Sequence, residues 1–150
     1  PLFFTSRYRF FRKPYPNKMN HTGKGGMPKE HISLPRARPM PFSSVVKAGN
    51  FVYTSGHTGS RDPEGNPLTT IEDQTRQTMI NLKKTLDAAG VSFDDAVKAT
   101  IFLKRMEDFG EMNGVYRSFY DDNLPARSTL VTNLVAESIL VEIELVLYKE

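Results

Sequence analysis

The spacing of apolar residues changes period along the chain, and each change marks an element. "SSVVK" and "NFVYTSG" are rich in β-branched and aromatic residues and flank Ala48-Gly49-Asn50, so they predict two strands joined by a hairpin turn. "RDPEGNP" after them reads as a loop. Thr69-x-x-Glu72 then matches a capping box, Met79, Leu82, Leu86 and Ala89 recur at helical spacing, and Gly90 supplies a stop.

In "AVKATIFL" the pattern returns to alternation, with Val97, Ala99, Ile101 and Leu103 set against Lys98 and Thr100, which predicts a strand. Phe109, Met112, Tyr116 and Phe119 define a second amphipathic helix, and strands follow at about 128–134 and 139–148. The order is ββαβαββ, an α+β domain with two helices on one face of a sheet. In "ILVEIELVLY", Val141, Ile143, Leu145 and Leu147 share one side, while Leu140, Glu142, Glu144 and Val146 share the other. If the first set meets the helices, the second must meet solvent or another subunit. Its remaining apolar residues favour a subunit interface.

Before these periods begin, residues 1–38 show none, and Pro, Gly, Asn and Lys crowd the segment. It reads as a flexible tail, at least from Pro14 to Pro39, ahead of a domain at 39–150. Charge separates the two parts: residues 1–38 hold nine Lys/Arg and one acid, Glu30, whereas 39–150 hold eleven Lys/Arg and sixteen acids. The small net charge of +3 therefore averages a basic tail and a mildly acidic domain. Mixed aromatic and basic residues (Arg7, Tyr8, Arg9, Phe10, Phe11, Arg12) could stack on nucleic acid, and the acid-poor, Arg-rich character also suits an organelle transit peptide. Met27 opens "MPKEHIS" as a natural start would, so a third reading makes residues 1–26 inert upstream sequence.

The chain has no cysteine, which excludes disulfides, thiolate nucleophiles and cysteine-based metal centres. His21, His31 and His57 lack metal-ligand spacing, so no metal is expected. No apolar run is long enough for a transmembrane helix. Three positions do not fit a bland core. Asn113 projects near the buried face of the second helix, where its amide needs a partner or ligand. Arg127, in "NLPARSTL", sits at a strand entrance, where its guanidinium could fork onto a ligand carboxylate or form an internal salt bridge to Glu142 or Glu144. Glu142 and Glu144, flanked by apolar residues, suit either a general acid/base with raised pKa or a solvated strand face. "TSGHTGS" would let a ligand approach backbone amides, yet it matches neither a Walker loop nor a nucleophile elbow.

"KAGNFVYTSGHTG", "TRQTMINLKKTLDAAGVSFDDAVKATIFLK", "FGEMNGVYRSFY", "PARSTL" and "VEIEL", in order from about Pro41 to Tyr148, resemble the RidA/YjgF family of enamine/imine deaminases. The resemblance implies a chorismate-mutase-like ββαβαββ fold assembled as a homotrimer, with clefts between subunits and neither metal nor organic cofactor. It implies hydrolysis of reactive 2-imino acids, tautomers of enamines such as 2-aminoacrylate, to 2-oxo acids and ammonia. Arg127 would then grip the substrate carboxylate, Glu142 would activate water, and Asn113, Gly56, Phe42 and Thr129 would line the cleft. Phe42 stands where well-known members carry tyrosine, Thr129 where many have cysteine, and His57 replaces a common glutamine. The segment ahead of "PARS" is slightly short. Some members are described as translation inhibitors with ribonuclease activity, which sets an RNA-directed role, and a non-catalytic binder of small carboxylates, beside the deaminase. The location implied is cytoplasmic, or mitochondrial or plastidic if residues 1–26 are a native targeting segment.

Overall fold

The computed structural model describes residues 28–35 and 39–150. Seven strands and two helices follow in chain order: β1 (Lys29–Ile32), β2 (Val45–Ala48), β3 (Phe51–Thr54), β4 (His57–Thr58), α1 (Ile71–Ala89), β5 (Ala96–Leu103), α2 (Phe109–Arg117), β6 (Ala126–Val131) and β7 (Val141–Tyr148). They form one sheet in the order β1-β2-β3-β7-β5-β6, with β4 also paired to β7. Among the described strands only β5 and β6 run parallel, and a parallel pair needs a crossover, which α2 supplies. The expected α+β architecture with helices on one face is present. Among the described residues, no helix is long and apolar enough to cross a membrane.

The core lies between that face and the helices. Val141, Ile143, Leu145 and Leu147 of β7 and Ala99, Ile101 and Leu103 of β5 are buried against Met79, Leu82 and Leu86 of α1 and Met112 and Tyr116 of α2. Alternation along β7 thus reads correctly from the sequence. The hairpin turn between β2 and β3 closes where expected, with Ala48 opposite Phe51 and Gly49 at φ 60, a left-handed conformation that glycine adopts without a Cβ clash. Gly90 ends α1 at φ 71, its N–H meeting the carbonyls of Leu86 and Asp87.

Four expectations need correction. The stretch from Pro14 to Pro39 is not tail throughout, because Lys29–Ile32 pairs antiparallel with β2 as an edge strand. Its residues are mostly exposed, so hydrophobic periodicity carried no trace of it. The rest of that segment, residues 1–27 and 36–38, lies outside the described residues. Helix α1 is capped one residue later than the Thr69-x-x-Glu72 pattern suggests: Thr70 Oγ1 accepts from the Asp73 N–H at 3.2 Å. Val97 is exposed, since a register shift between Ala96 and Lys98 turns it out of the alternation. Phe109 is also exposed rather than core.

Buried Gln74 of α1 ties the loops to this frame. Its amide nitrogen donates to the carbonyls of Leu68 and Ser138 at 2.7 and 2.8 Å, and its oxygen accepts from the Leu140 N–H at 2.8 Å. The chain entering β7 is thereby fixed to the helix.

Candidate active site

Strand register decides where the candidate side chains point. Arg127 lies opposite Ala99, which lies opposite Leu145, and paired residues across a ladder share a face. Arg127 therefore projects from the edge strand β6 onto the helix-covered side, beside α2. Its guanidinium carbon sits 5.1 Å from the Tyr116 ring centroid and 5.8 Å from that of Phe109, within cation–π range of both. Phe109 is exposed because it faces this side of the guanidinium rather than the core.

Glu142 and Glu144 lie opposite Phe102 and Thr100, on the other side of the sheet. An internal salt bridge from Arg127 to either glutamate is thus ruled out by the ladder itself. Among the described residues Arg127 makes no ion pair with any carboxylate. Nor does one chain bring Arg127 and Glu142 together: they lie on opposite faces, as two separate candidate half-sites.

The Arg127 half-site borders a cavity of about 240 Å³ lined by Asn113, Tyr116, Arg117, Leu124, Pro125 and Arg127. Helix α2 carries Asn113, Tyr116 and Arg117, and the segment entering β6 carries the other three. Among the described residues, the buried Oδ1 of Asn113 has no hydrogen-bond partner. Neither has the buried Oγ1 of Thr129, which shares Arg127's face two residues along the strand. Native proteins leave few buried polar atoms unpaired, and two around an arginine without a counter-charge mark a place suited to a polar ligand. The Tyr116 hydroxyl donates to that of Tyr120 at 3.1 Å, and burial pushes both phenols above their usual pKa. They stay protonated and neutral beside the cation.

The second half-site centres on Glu142, half-buried on β7. Burial, and secondarily the charge of Glu144, raises its carboxyl above the usual carboxylate range. Thr58 of β4 pairs with Glu142, bringing Gly56 alongside, and a Cβ on Gly56 would overlap the Glu142 carboxylate. A side chain at Gly56 would push the carboxylate from this position. His57 next to it points the other way and is buried: Nδ1 donates to the Ser55 carbonyl at 2.8 Å, and Nε2 lies 2.8 Å from Thr85 Oγ1 on α1. It pins the "TSGHTGS" loop to the helix and does not join the glutamate. Phe42, just ahead of β2, is exposed and lies outside the lining of the Arg127 cavity.

The sequence named Arg127, Asn113, Thr129, Glu142 and Gly56 as parts of one cleft; the ladder sets Arg127 and Thr129 on the side of Asn113, and Glu142 with Gly56 on the other. Sequence reasoning missed Arg117, Leu124 and Pro125, and it assigned Phe109 to the core; Tyr116 is core as expected but also turns its ring to the guanidinium, and the two kinds of packing have the same helical spacing. A cation directly after a helix tyrosine carries no signal until the cavity is seen.

Known proteins resemble this chain over most of its length. Residues 35–149 match the family described as Endoribonuclease L-PSP. A RutC family protein of Pyrococcus horikoshii is 40% identical over 112 residues, covering 73% of this chain and 88% of that protein. A 2-iminobutanoate/2-iminopropanoate deaminase of Dermatophagoides farinae is 37% identical over 120 residues, covering 78% of this chain and 94% of that protein. Among solved structures, RidA from an Antarctic Psychrobacter superposes with a TM-score of 0.72 at 32% identity, covering 80% of this chain and 99% of that one.

Proposed function

Since the chain belongs to the Endoribonuclease L-PSP (YjgF/RidA) family, we propose that it hydrolyses reactive 2-imino acids, the tautomers of enamines such as 2-aminoacrylate, to 2-oxo acids and ammonia. The observation that carries this reading is Arg127: a guanidinium packed near two aromatic rings, without an acidic partner among the described residues, at the wall of a small cavity. Its planar fork matches a substrate carboxylate through two charge-assisted hydrogen bonds, and the rings fix the fork before the substrate arrives. Asn113 Oδ1, an acceptor lacking a donor, suits the iminium N–H.

Hydrolysis needs water added to the imine carbon and a proton delivered to the departing nitrogen. Glu142, ionised, takes a proton from the attacking water as the C–O bond forms, giving a carbinolamine. It returns that proton to nitrogen, and as the C–N bond breaks and ammonia leaves, the carboxylate takes the hydroxyl proton so that the carbonyl forms. A carboxylate with raised pKa is suited to both transfers, since it releases the proton late and accepts it readily. Holding imine and water in one geometry supplies much of the acceleration. Because Arg127 and Glu142 occupy opposite faces of one sheet, the reading requires clefts between subunits, as in a homotrimer, with the arginine from one chain and the glutamate from its neighbour. Neither step calls on a metal or an organic cofactor. The reaction would serve in the cytoplasm, where enamines released by dehydratases that use pyridoxal phosphate threaten those same enzymes.

The test generates 2-aminoacrylate with a dehydratase and follows 2-oxo acid release with and without the protein. Acceleration is expected. Arg127→Ala, which removes two charge-assisted hydrogen bonds worth about 1.5–3 kcal/mol each, should lower kcat/KM by about two to four orders of magnitude. Arg127→Lys keeps the charge without the fork and should still lose about tenfold or more. No acceleration over buffer would overturn the reading. Salt-resistant RNA cleavage by the same preparation would favour the ribonuclease alternative, and carboxylate binding without turnover would favour the binder.

A further inference from the structure

Arg117, the last residue of α2, shares the 240 Å³ cavity with Arg127, and no carboxylate lines it. Its Nη1 donates to the carbonyl of Tyr120, a buried residue, which holds the guanidinium at the cavity rather than adrift in solvent. One of its N–H groups is used in this way, leaving others to face a ligand. Asp121 and Asp122 follow closely in the chain, yet among the described residues Arg117 pairs with no acid. Two guanidinium groups around one small space repel each other unless an anion lies between them.

We propose that Arg117 selects substrates carrying a second carboxylate, so that the preferred imino acids are 2-imino dicarboxylates. Arg127, packed near the rings of Tyr116 and Phe109, takes the carboxylate beside the imine carbon. The rest of the ligand then extends along Leu124 and Pro125, whose apolar surfaces suit methylene groups, and its far carboxylate meets Arg117. The volume favours a small diacid, since sites for drug-sized ligands run from about 300 Å³ upwards. As a statement about turnover this rests on the deaminase reading, whereas as a statement about binding it stands on the cavity alone.

The experiment generates imines in situ with an amino-acid oxidase, from aspartate or from 2-aminobutyrate, and measures acceleration of 2-oxo acid release by the full chain. The dicarboxylic imine should show kcat/KM about tenfold or more above the monocarboxylic one. Arg117→Met should lower that ratio about tenfold, mainly by raising KM for the dicarboxylic imine, and Arg117→Lys should restore part of it. No preference for the diacid, or an Arg117→Met effect equal on both imines, overturns the proposal. If neither imine is hydrolysed, the deaminase reading falls and titration of the protein with 2-oxoglutarate and with 2-oxobutanoate decides the rest. Tighter binding of 2-oxoglutarate that is lost in Arg117→Met supports the second-carboxylate site, and equal or absent binding of the two overturns it. Arg117 is exposed, so its variants fold, which circular dichroism checks.

Discussion

Glu142 places an ionisable group where its charged form is disfavoured, and this has consequences for stability as well as chemistry. Burial and the neighbouring Glu144 raise its pKa in the folded chain above the ordinary carboxylate value. Protonated Glu142 costs the fold little, so that part of the stability is fully present below the unfolded pKa. It is lost as pH rises through the raised folded value, because the folded chain must then carry the desolvated charge. Glu142→Gln removes the titration while keeping the shape. The variant should melt above the wild type at pH 7, and the gap should close as pH falls below the ordinary carboxylate range, as thermal melts across a pH series would reveal. Activity should move the opposite way: wild-type kcat/KM should rise with pH through the raised value, while the glutamine variant stays low and flat. A melting gap that persists unchanged at acid pH would mean that Glu142 is not the group paying for its burial.

At the scale of elements, the loops that present the half-sites are held by a few polar anchors on α1. Gln74 spans Leu68, Ser138 and Leu140, positions far apart in sequence, and Leu140 leads directly into β7 and Glu142. Gln74→Ala would leave the Leu140 N–H and two carbonyls without their partner and open a small void. About 2–4 kcal/mol of stability should be lost in urea unfolding, with activity reduced at temperatures where the variant is still folded. The strands and helices themselves were legible in the sequence wherever one face is buried: β5, β7 and α1 follow their apolar periods, and Gly49 and Gly90 mark the turns that need left-handed backbone. Element β1 was not, because an exposed edge strand is held by main-chain pairing and leaves no apolar pattern. The anchors were equally hidden, since Gln74 and His57 look like surface polar residues until tertiary contacts bury them. Arg127 and Glu142 could be named from their strands, but their opposite faces followed only from the ladder between β5, β6 and β7.

In the whole molecule, the helix-covered face of the sheet is filled while the other face leaves apolar side chains exposed. Phe51 and Tyr53 on β3, Tyr148 on β7 and Leu130 on β6 are all at least 38% exposed there, and Phe51 packs its ring edge-on against Tyr148. An apolar sheet face left exposed among the described residues, beside the candidate half-site at Glu142, suits association of copies of this chain. A site shared between neighbours makes a prediction that a self-contained site does not. Arg127→Ala and Glu142→Ala chains should each be inactive alone as pure oligomers. Co-expressed or refolded together, they form mixed oligomers in which some clefts receive Arg127 from one chain and Glu142 from the other. With equal amounts and random assembly, each cleft draws its arginine and its glutamate independently, so about one cleft in four is intact and about a quarter of wild-type activity should return. Mixing without subunit exchange should restore nothing, which separates complementation from slow residual turnover. If co-assembled variants remain as inactive as the parents, while mass measurement shows mixed oligomers, Arg127 and Glu142 do not meet across a subunit boundary.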